Sequence, residues 1–358
     1  MKQKARIYLD VHAIQTVPPS CVNRDDAGSP KTAVYGGIQR ARVSSQSWKR
    51  AIRQMFQEDF SEAELGVRTK KIVDMVATEI RGIDETIAEE KAKELAEKVL
   101  KACNVSTKNG EAEALFFLSR KQAHNLADLI LQNEKPSKKE AQAMISQNHS
   151  IDIALFGRMV AKEASLNVDA SAQVAHSIST HRVDNEYDYY TAVDDLATEG
   201  NAGAGMIGVV EFNSSTMYRY ATVAIHDLHR ELADEKEVTA KAVAEFVKAF
   251  ITSMPTGKQN TFANRTLPDA VLVTLRSDQP INFVGAFEKP VRGSEEGYAQ
   301  PSICRLRDYA KKVYETFAEA PDNTWSIGMG DSEENLKLTD MLLDLQATVV
   351  QKLQEQEE

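Results

Sequence analysis

The chain has 358 residues, 42% of them hydrophobic, with a formal net charge of −10, enough for one large domain or two ordinary ones with ample core. No stretch approaches the ~18 uninterrupted apolar residues of a membrane span, and the N-terminus MKQKARIYLD enters a strand pattern without a signal-peptide core. Cys21, Cys103 and Cys304 lie far apart and form no CxxC, which argues against a disulfide framework or zinc site and for a reducing cytoplasm.

Charge is unevenly placed. Residues 1–60 hold ten Lys/Arg against five Asp/Glu, a balance of +5 that leaves −15 for the remainder. A basic face on an acidic body can neutralise phosphates locally.

In chain order, Arg6–Ala13 alternates as a half-buried strand, with Ile7, Leu9, Val11 and Ala13 on one side. Val17–Ala33 reads as a loop, marked by Pro18-Pro19 and Gly28-Ser29-Pro30. Gly36-Gly37 permit a sharp turn, and Arg40 and Arg42 share one face of an extended segment. Ser44 and Ser45 are good N-caps for a helix whose apolar stripe is Trp48, Ile52 and Met55/Phe56. Lys49, Arg50 and Arg53 fall off that stripe, and no Asp or Glu interrupts residues 27–57. A helix N-terminus carrying cations makes an anion site, with phosphate the obvious anion; the alternative on composition alone is an ordinary amphipathic helix with a solvated basic face.

Between Ser61 and Asn148 the spacing predicts an all-helical insertion of some four helices, with capping-box patterns at Ser61-x-x-Glu64 and Ser137-x-x-Glu140. Strand character returns at Ile151–Phe156. Val209–Phe212 and Met217–Ile225 read as a strand pair turning at Asn213-Ser214-Ser215. Glu237–Met254 is a predicted helix, Ala270–Leu275 a strand, and Ile303–Phe317 and Glu333–Gln354 terminal helices, the latter entered through Asp331/Ser332. With the insertion set aside, the order is the βαββαβ of ferredoxin-like and RNA-recognition domains, an α+β class.

Several motifs mislead. Gly203-Ala204-Gly205-Met206-Ile207-Gly208 matches GxGxxG, but no strand precedes it and a strand follows, so a flexible loop tip is the better reading. Gly257-Lys258-Gln259 lacks the Ser/Thr of a P-loop, which leaves Lys258 as either a phosphate contact or an ordinary surface lysine. The histidines show no HExxH, and no metal or cofactor is expected. Asp25-Asp26 could hold Mg²⁺ or deprotonate a hydroxyl, while loop solvation or a salt link to Arg24 is the bland alternative. Tyr187, Tyr189 and Tyr190 precede a polar, Gly/Ala-rich run and could stack on bases or tuck under the loop.

NRDD (23–26), YGG (35–37), RxRVSSQSxKRAxR (40–53), DIALFGRM (152–159), AHSISTHRVD (175–184), YYTAVDDL (189–196) and GKQNTFA (257–263) occur in this order. Together they resemble the CasC (Cas-seven-type) backbone subunit family of the type I-E Cascade CRISPR surveillance complex. The resemblance implies a hand-shaped protein: an RRM-like palm at 1–60 and 151–358, a helical finger insertion at 61–150, and a thumb hairpin at 183–207. It implies copies polymerising along one CRISPR RNA, whose guide stays able to pair with target DNA, beside other Cascade subunits. Carried onto this chain, the phosphate cradle falls on Lys31, Arg40, Arg42, Ser44, Ser45, Gln46, Lys49, Arg50, Arg53, Lys258 and Gln259. The base-kinking group falls on Met159, Tyr189, Tyr190 and Ile207, with Tyr189-Tyr190 standing where a Trp-Phe pair can occur. Such a protein is a binder and not an enzyme. The competing readings are a metal-dependent endoribonuclease using Asp25/Asp26, as in backbone subunits of other CRISPR classes, and a scaffold docking its basic helix on acidic proteins.

Overall fold

The computed structural model describes residues 6–192, 206–330 and 336–356. It is a mixed α/β chain built on one large antiparallel sheet. The chain opens with β1 (Tyr8–Ser20), β2 (Thr32–Tyr35), β3 (Ile38–Val43) and α1 (Ser45–Asp59). Next come β4 (Gly66–Thr69), α2 (Ile72–Ile83), α3 (Glu89–Ala102), β5 (Thr107–Lys108), β6 (Glu111–Ala112), β7 (Phe116–Ser119), α4 (Arg120–Gln132) and α5 (Lys138–Ile145). The chain continues through α6 (Ile151–Phe156), β8 (Ala172–Val174), β9 (Ser177–Ser179), β10 (Glu186–Ala192), β11 (Met206–Ala224), α7 (Ile225–Glu231), α8 (Lys236–Thr252) and α9 (Gln259–Phe262). It closes with β12 (Ala270–Arg276), α10 (Ala299–Thr316), β13 (Asn323–Ile327) and α11 (Leu338–Glu355).

The sheet runs β13-β12-β1-β11-β9-β3-β2, with β8 and β10 also paired to β11. β1 sits between β11 (Tyr8↔Ala224 through Ser20↔Asn213) and β12 (Tyr8↔Arg276 through Ile14↔Ala270). Leu9, Val11 and Ala13 enter the core under α1, α8 and α11, while Ile14 joins the opposite core under α10. Both faces are covered, so the polar partners of the alternation, Asp10 and His12, are buried too. The strand predicted over Arg6–Ala13 is therefore longer and not half-buried. It runs through Pro18-Pro19, and the register with β11 shifts between Val17 and Ser20, where prolines can donate no ladder bond.

Residues between Ile72 and Ile145 close a separate apolar core around α2, α3, α4 and α5. The segment is not all helical, since β4 pairs with β7 and β5 with β6. The Ser137–Glu140 capping box forms, and Ser119–Gln122 makes another. Ser61 and Glu64 do bond one another (2.8 and 2.9 Å), but the chain there turns into β4 and no helix follows.

Two strand expectations are corrected. Ile151–Phe156 is α6, ended by Gly157 at φ 75°. Ile151 through Leu155 are all buried, and on so short a run two-residue alternation cannot be told from a helix packed on every side. The second strand of the sheet motif is instead β8/β9. Asn213-Ser214-Ser215 make no turn; they lie within the continuous 19-residue β11. The outer end of β11 pairs with β10 (Glu186↔Phe212 through Ala192↔Met206), so the hairpin is one strand earlier in sequence than expected. Gly203–Gly205 and Asp331/Ser332 lie outside the described residues, while Met206, Ile207 and Gly208 begin β11.

Candidate nucleic-acid interface

α1 is held by one buried side chain. Trp48 donates from Nε1 to Ser177 Oγ (2.8 Å), and the Arg219 guanidinium lies 3.7 Å from its ring centroid. Ala51, Ile52 and Phe56 extend the same buried face. The opposite face is thereby committed to solvent. At the N-terminus Ser44 is the cap (φ −70°, ψ 148°), its Oγ accepting from the Ser47 N–H at 3.4 Å, and its own N–H reaches Asn23 Oδ1 at 2.9 Å. The first turn carries no acidic residue, so the positive end of the helix dipole is uncompensated by its own sequence.

Along this face runs a cleft of about 910 Å³, lined by Gln46, Lys49, Arg50, Arg53 and Met159 together with Arg68, Phe117 and Phe156. At Arg50 it meets a second recess of about 620 Å³, formed by Asn23–Gly28, Gln54 and Pro255–Gly257. Lys49 is half-buried with Nζ 5.9 Å from the Phe156 ring centroid, and burial pushes its ammonium below its ordinary pKa. Arg50 is exposed. Among the described residues neither Lys49 nor Arg50 has an ion-pair partner. Arg53 differs: its guanidinium sits 4.4 Å over Phe117 and donates to Asp152 Oδ2 at 3.3 Å. Asp152 is itself buried, and burial raises its pKa. Met159 is 85% exposed beside Gly157, whose φ of 75° and close approach to the Val168 carbonyl leave no room for a Cβ. An anionic strand would thus meet two unpaired cations, a third held in place by a buried carboxylate, and an exposed thioether.

The remaining expected cradle residues divide. Lys31 and Arg42 are adjacent across the first strands, Arg42 N–H donating to the Lys31 carbonyl at 2.9 Å, and Arg42 keeps one guanidinium edge on Thr32 O. Ser45 opens α1 and is partly exposed. Lys258 stands at φ 46°, placed by Gly257, where a Cβ would fall 2.0 Å from the Val22 carbonyl oxygen. Gln259 lines a smaller pocket of about 210 Å³ with Gln54.

Arg40 is not on this surface. It is fully buried, with Nε donating to Tyr35 O (3.2 Å), Nη1 to Ser179 O (2.9 Å) and Nη2 to Phe287 O (2.9 Å) and Glu288 O (3.3 Å). Two-residue spacing puts Arg40 and Arg42 on one strand face, but that face passes from solvent at 42 to interior at 40. Asp25 is likewise occupied, its Oδ1 accepting from the Ala27 and Ser29 N–H groups at 2.9 Å each, as a turn-forming carboxylate. No group of three or more metal-ligating side chains occurs among the described residues.

The expected base-kinking residues also divide. Cross-strand pairs Tyr189↔Val209, Thr191↔Ile207 and Tyr187↔Glu211 put Tyr187, Tyr189, Ile207 and Val209 on one exposed face of the β10–β11 hairpin. Tyr190 pairs with Gly208 and points to the other face, its ring lying across that glycine. Neither Tyr189, Tyr190 nor Ile207 lines the α1 cleft, whereas Met159 does.

Sequence reasoning missed Arg68. It is exposed on β4 and reaches the cleft across the chain from α1; a lone arginine in a short polar strand gives no local signal.

No curated protein matches the chain. Among solved structures, a chain of a CRISPR RNA-guided surveillance complex in a pre-nicking state is similar at 32% identity and TM-score 0.81. That likeness covers 96% of this chain and 100% of the other. A chain of another CRISPR RNA-guided surveillance complex is similar at 30% identity and TM-score 0.61, covering 96% of this chain and 99% of that one. A family model described as CT1975-like protein matches residues 9–355. With both sequence and fold matched over nearly the whole length, the chain belongs to the CT1975-like family.

Proposed function

We propose that this protein is the RNA-binding backbone subunit of a type I-E Cascade surveillance complex, acting by binding and not by catalysis. The observation that carries the reading is the cleft along α1, where Lys49 and Arg50 stand unpaired among the described residues at a capped helix N-terminus. Phosphate contacts of this kind give affinity and register without reading sequence. The likeness to chains of RNA-guided complexes supports the assignment of that anion to a guide RNA.

In this reading the sheet is an RRM-like palm. The run β12-β1-β11-β8/β9, with α1 and α8 on one face, supports it as a ferredoxin-like 4-1-3-2 arrangement. The α2–α5 unit is the finger and the β10–β11 hairpin the thumb. Successive copies polymerise along the CRISPR RNA. Each thumb displaces one base at a regular interval, with Tyr189 and Ile207 as the contacting pair, and Met159 meets the strand from the palm. The intervening bases pair with target DNA, so sequence reading passes to the guide. Other Cascade subunits complete the particle in the cytoplasm. The occupation of Asp25 Oδ1 by two backbone donors weighs against the endoribonuclease alternative.

The test is to co-express the chain with its neighbouring genes and a CRISPR array, purify it, and sequence retained RNA. CRISPR RNA of uniform length, released by salt, is expected. Nucleic-acid-free protein under conditions that preserve the fold would overturn the reading.

A further inference from the structure

Beyond the α1 cleft lies a second concentration of donors, and one of its members is a residue to which neither charge counting nor family resemblance gave a role. His176 sits in the bend between β8 and β9, exposed, at the end of the strand that pairs with β3. Arg42 Nη1 lies 3.2 Å from its Nδ1. A guanidinium can only donate, so Nδ1 is the acceptor and the neutral ring carries its proton on Nε2. Arg42 itself is fixed by Nε on Thr32 O (3.1 Å), and its backbone N–H ties it to Lys31. Lys31 and Arg42 are the charged groups that act on His176, and both, after burial, lower its pKa. No carboxylate pairs with Lys31, Arg42 or His176 among the described residues.

Three segments therefore bring Lys31, the Arg42 guanidinium and an imidazole N–H into one neighbourhood, with the imidazole oriented by Arg42. A structural histidine in this position would be buried or would face a carboxylate, and His176 does neither. Its fixed tautomer leaves Nε2–H as a donor for an acceptor from outside the chain. An anionic oxygen is what such a neighbourhood of donors fits.

We propose that His176 completes, with Lys31 and Arg42, a second phosphate-binding station for the RNA strand, donating from Nε2. This rests on the RNA-binding reading above and adds a residue and a proton to it. A phosphate beside the ring offsets the two cations that keep it neutral, so RNA binding favours the imidazolium. Protonation at Nδ1 exchanges the bond from Arg42 for a full positive charge beside the phosphate, and the complex takes up that proton from solvent. Affinity accordingly rises on the acid side of neutrality.

The experiment measures binding of a guide-length single-stranded RNA to the intact protein, to His176→Ala and to His176→Gln, across pH and salt. Circular dichroism is recorded for each. Gln keeps a donor near the Nε2 position but does not titrate. The expected result is about a 3- to 10-fold weaker complex for His176→Ala at pH 6. His176→Gln should bind as wild type does at pH 8 while losing the rise in affinity at acid pH. In the intact protein, the ring proton signal of His176 should titrate at higher pH with RNA than without it. If wild type binds RNA and His176→Ala matches it at every pH, the station is overturned and the RNA-binding reading stands. If wild type binds no RNA, that reading fails, and the station fails with it.

Discussion

The guanidinium of Arg219 lies 3.7 Å from the Trp48 ring centroid, and one buried cation thus fixes the helix that carries the candidate site. Arg219 also covers Phe250 at 4.4 Å, donates to Gln15 Oε1 at 2.6 Å and bonds the Phe250 carbonyl. Among the described residues no carboxylate pairs with it, and burial pulls its pKa down to about 9. Trp48→Ala opens a cavity and leaves that charge with only one of its two aromatic neighbours, so a loss of about 3–5 kcal/mol is expected. Urea unfolding checks it. A loss below about 1 kcal/mol would show that α1 is held elsewhere.

Lys49→Ala with Arg50→Ala tests the cleft itself. Both side chains sit on the outer face of α1, so the unfolding midpoint should be nearly unchanged. RNA affinity should fall equally for unrelated sequences, and the slope of log K against log salt should flatten by about 1.4 for two lost phosphate contacts on a single strand. A loss confined to certain sequences would contradict phosphate binding.

Arg40 should behave oppositely. Its guanidinium closes four carbonyl groups from three segments. Arg40→Ala strands them in the interior and should cost about 2–4 kcal/mol of stability. The salt slope of whatever folded protein remains should match wild type. A variant with normal stability and a flattened slope would return Arg40 to the surface list.

His12 makes stability depend on pH. It is fully buried, stacked 4.4 Å from Phe283, with Nδ1 2.9 Å from the Tyr218 hydroxyl. Burial, then the Arg276 charge, lowers its pKa from 6.5 to about 3. The fold holds the neutral ring, so this contribution is complete above pH 6.5 and is lost as pH falls toward 3. Asp10 acts in reverse. Burial raises it from 3.8 to about 6, so its contribution is complete below pH 3.8 and is lost as pH rises through 6. Between those limits the two oppose. His12→Phe removes one of them, and its urea midpoint should fall less between pH 7 and 4 than that of wild type. Parallel pH profiles would refute the assignment.

Tyr189→Ala with Ile207→Ala strips one face of the hairpin while leaving Tyr190 over Gly208. The fold and the salt slope should be unaltered. Chemical probing of RNA in the assembled complex should lose its periodic pattern of reactive bases. Tyr190→Ala, on the other face, should disturb the hairpin more than the pattern.

The site was more legible in the sequence than the sheet was. Ser44, Trp48, Lys49 and Arg50 lie within seven residues, and one helical period suffices to separate buried from exposed. Arg40 could not be placed that way, because its burial is decided by carbonyls at 179, 287 and 288, over a hundred residues away. The same holds for Arg68 and His176, which reach their surroundings through tertiary pairing. Ile151–Phe156 failed for a local reason: a six-residue segment buried all round shows no period. Asn213-Ser214-Ser215 has turn composition, yet Ser20, Asn185 and the β1 ladder supply its polar groups with partners and keep it extended.

β11 carries the hairpin and the middle of the sheet on one uninterrupted backbone of 19 residues, about 60 Å at about 3.3 Å per residue. Side chains along such a strand alternate strictly, so the parity of the inner end dictates that of the outer end. Val223 and Ala221 beneath the helices and Ile207 and Val209 at the rim are separated by even counts. One residue inserted near Ser214 would rotate Ile207 and Val209 to the reverse side of the hairpin while leaving every core contact of Ala221 and Val223 intact. The arm is phase-locked to the sheet, and its orientation is inherited from the packing of the sheet's core.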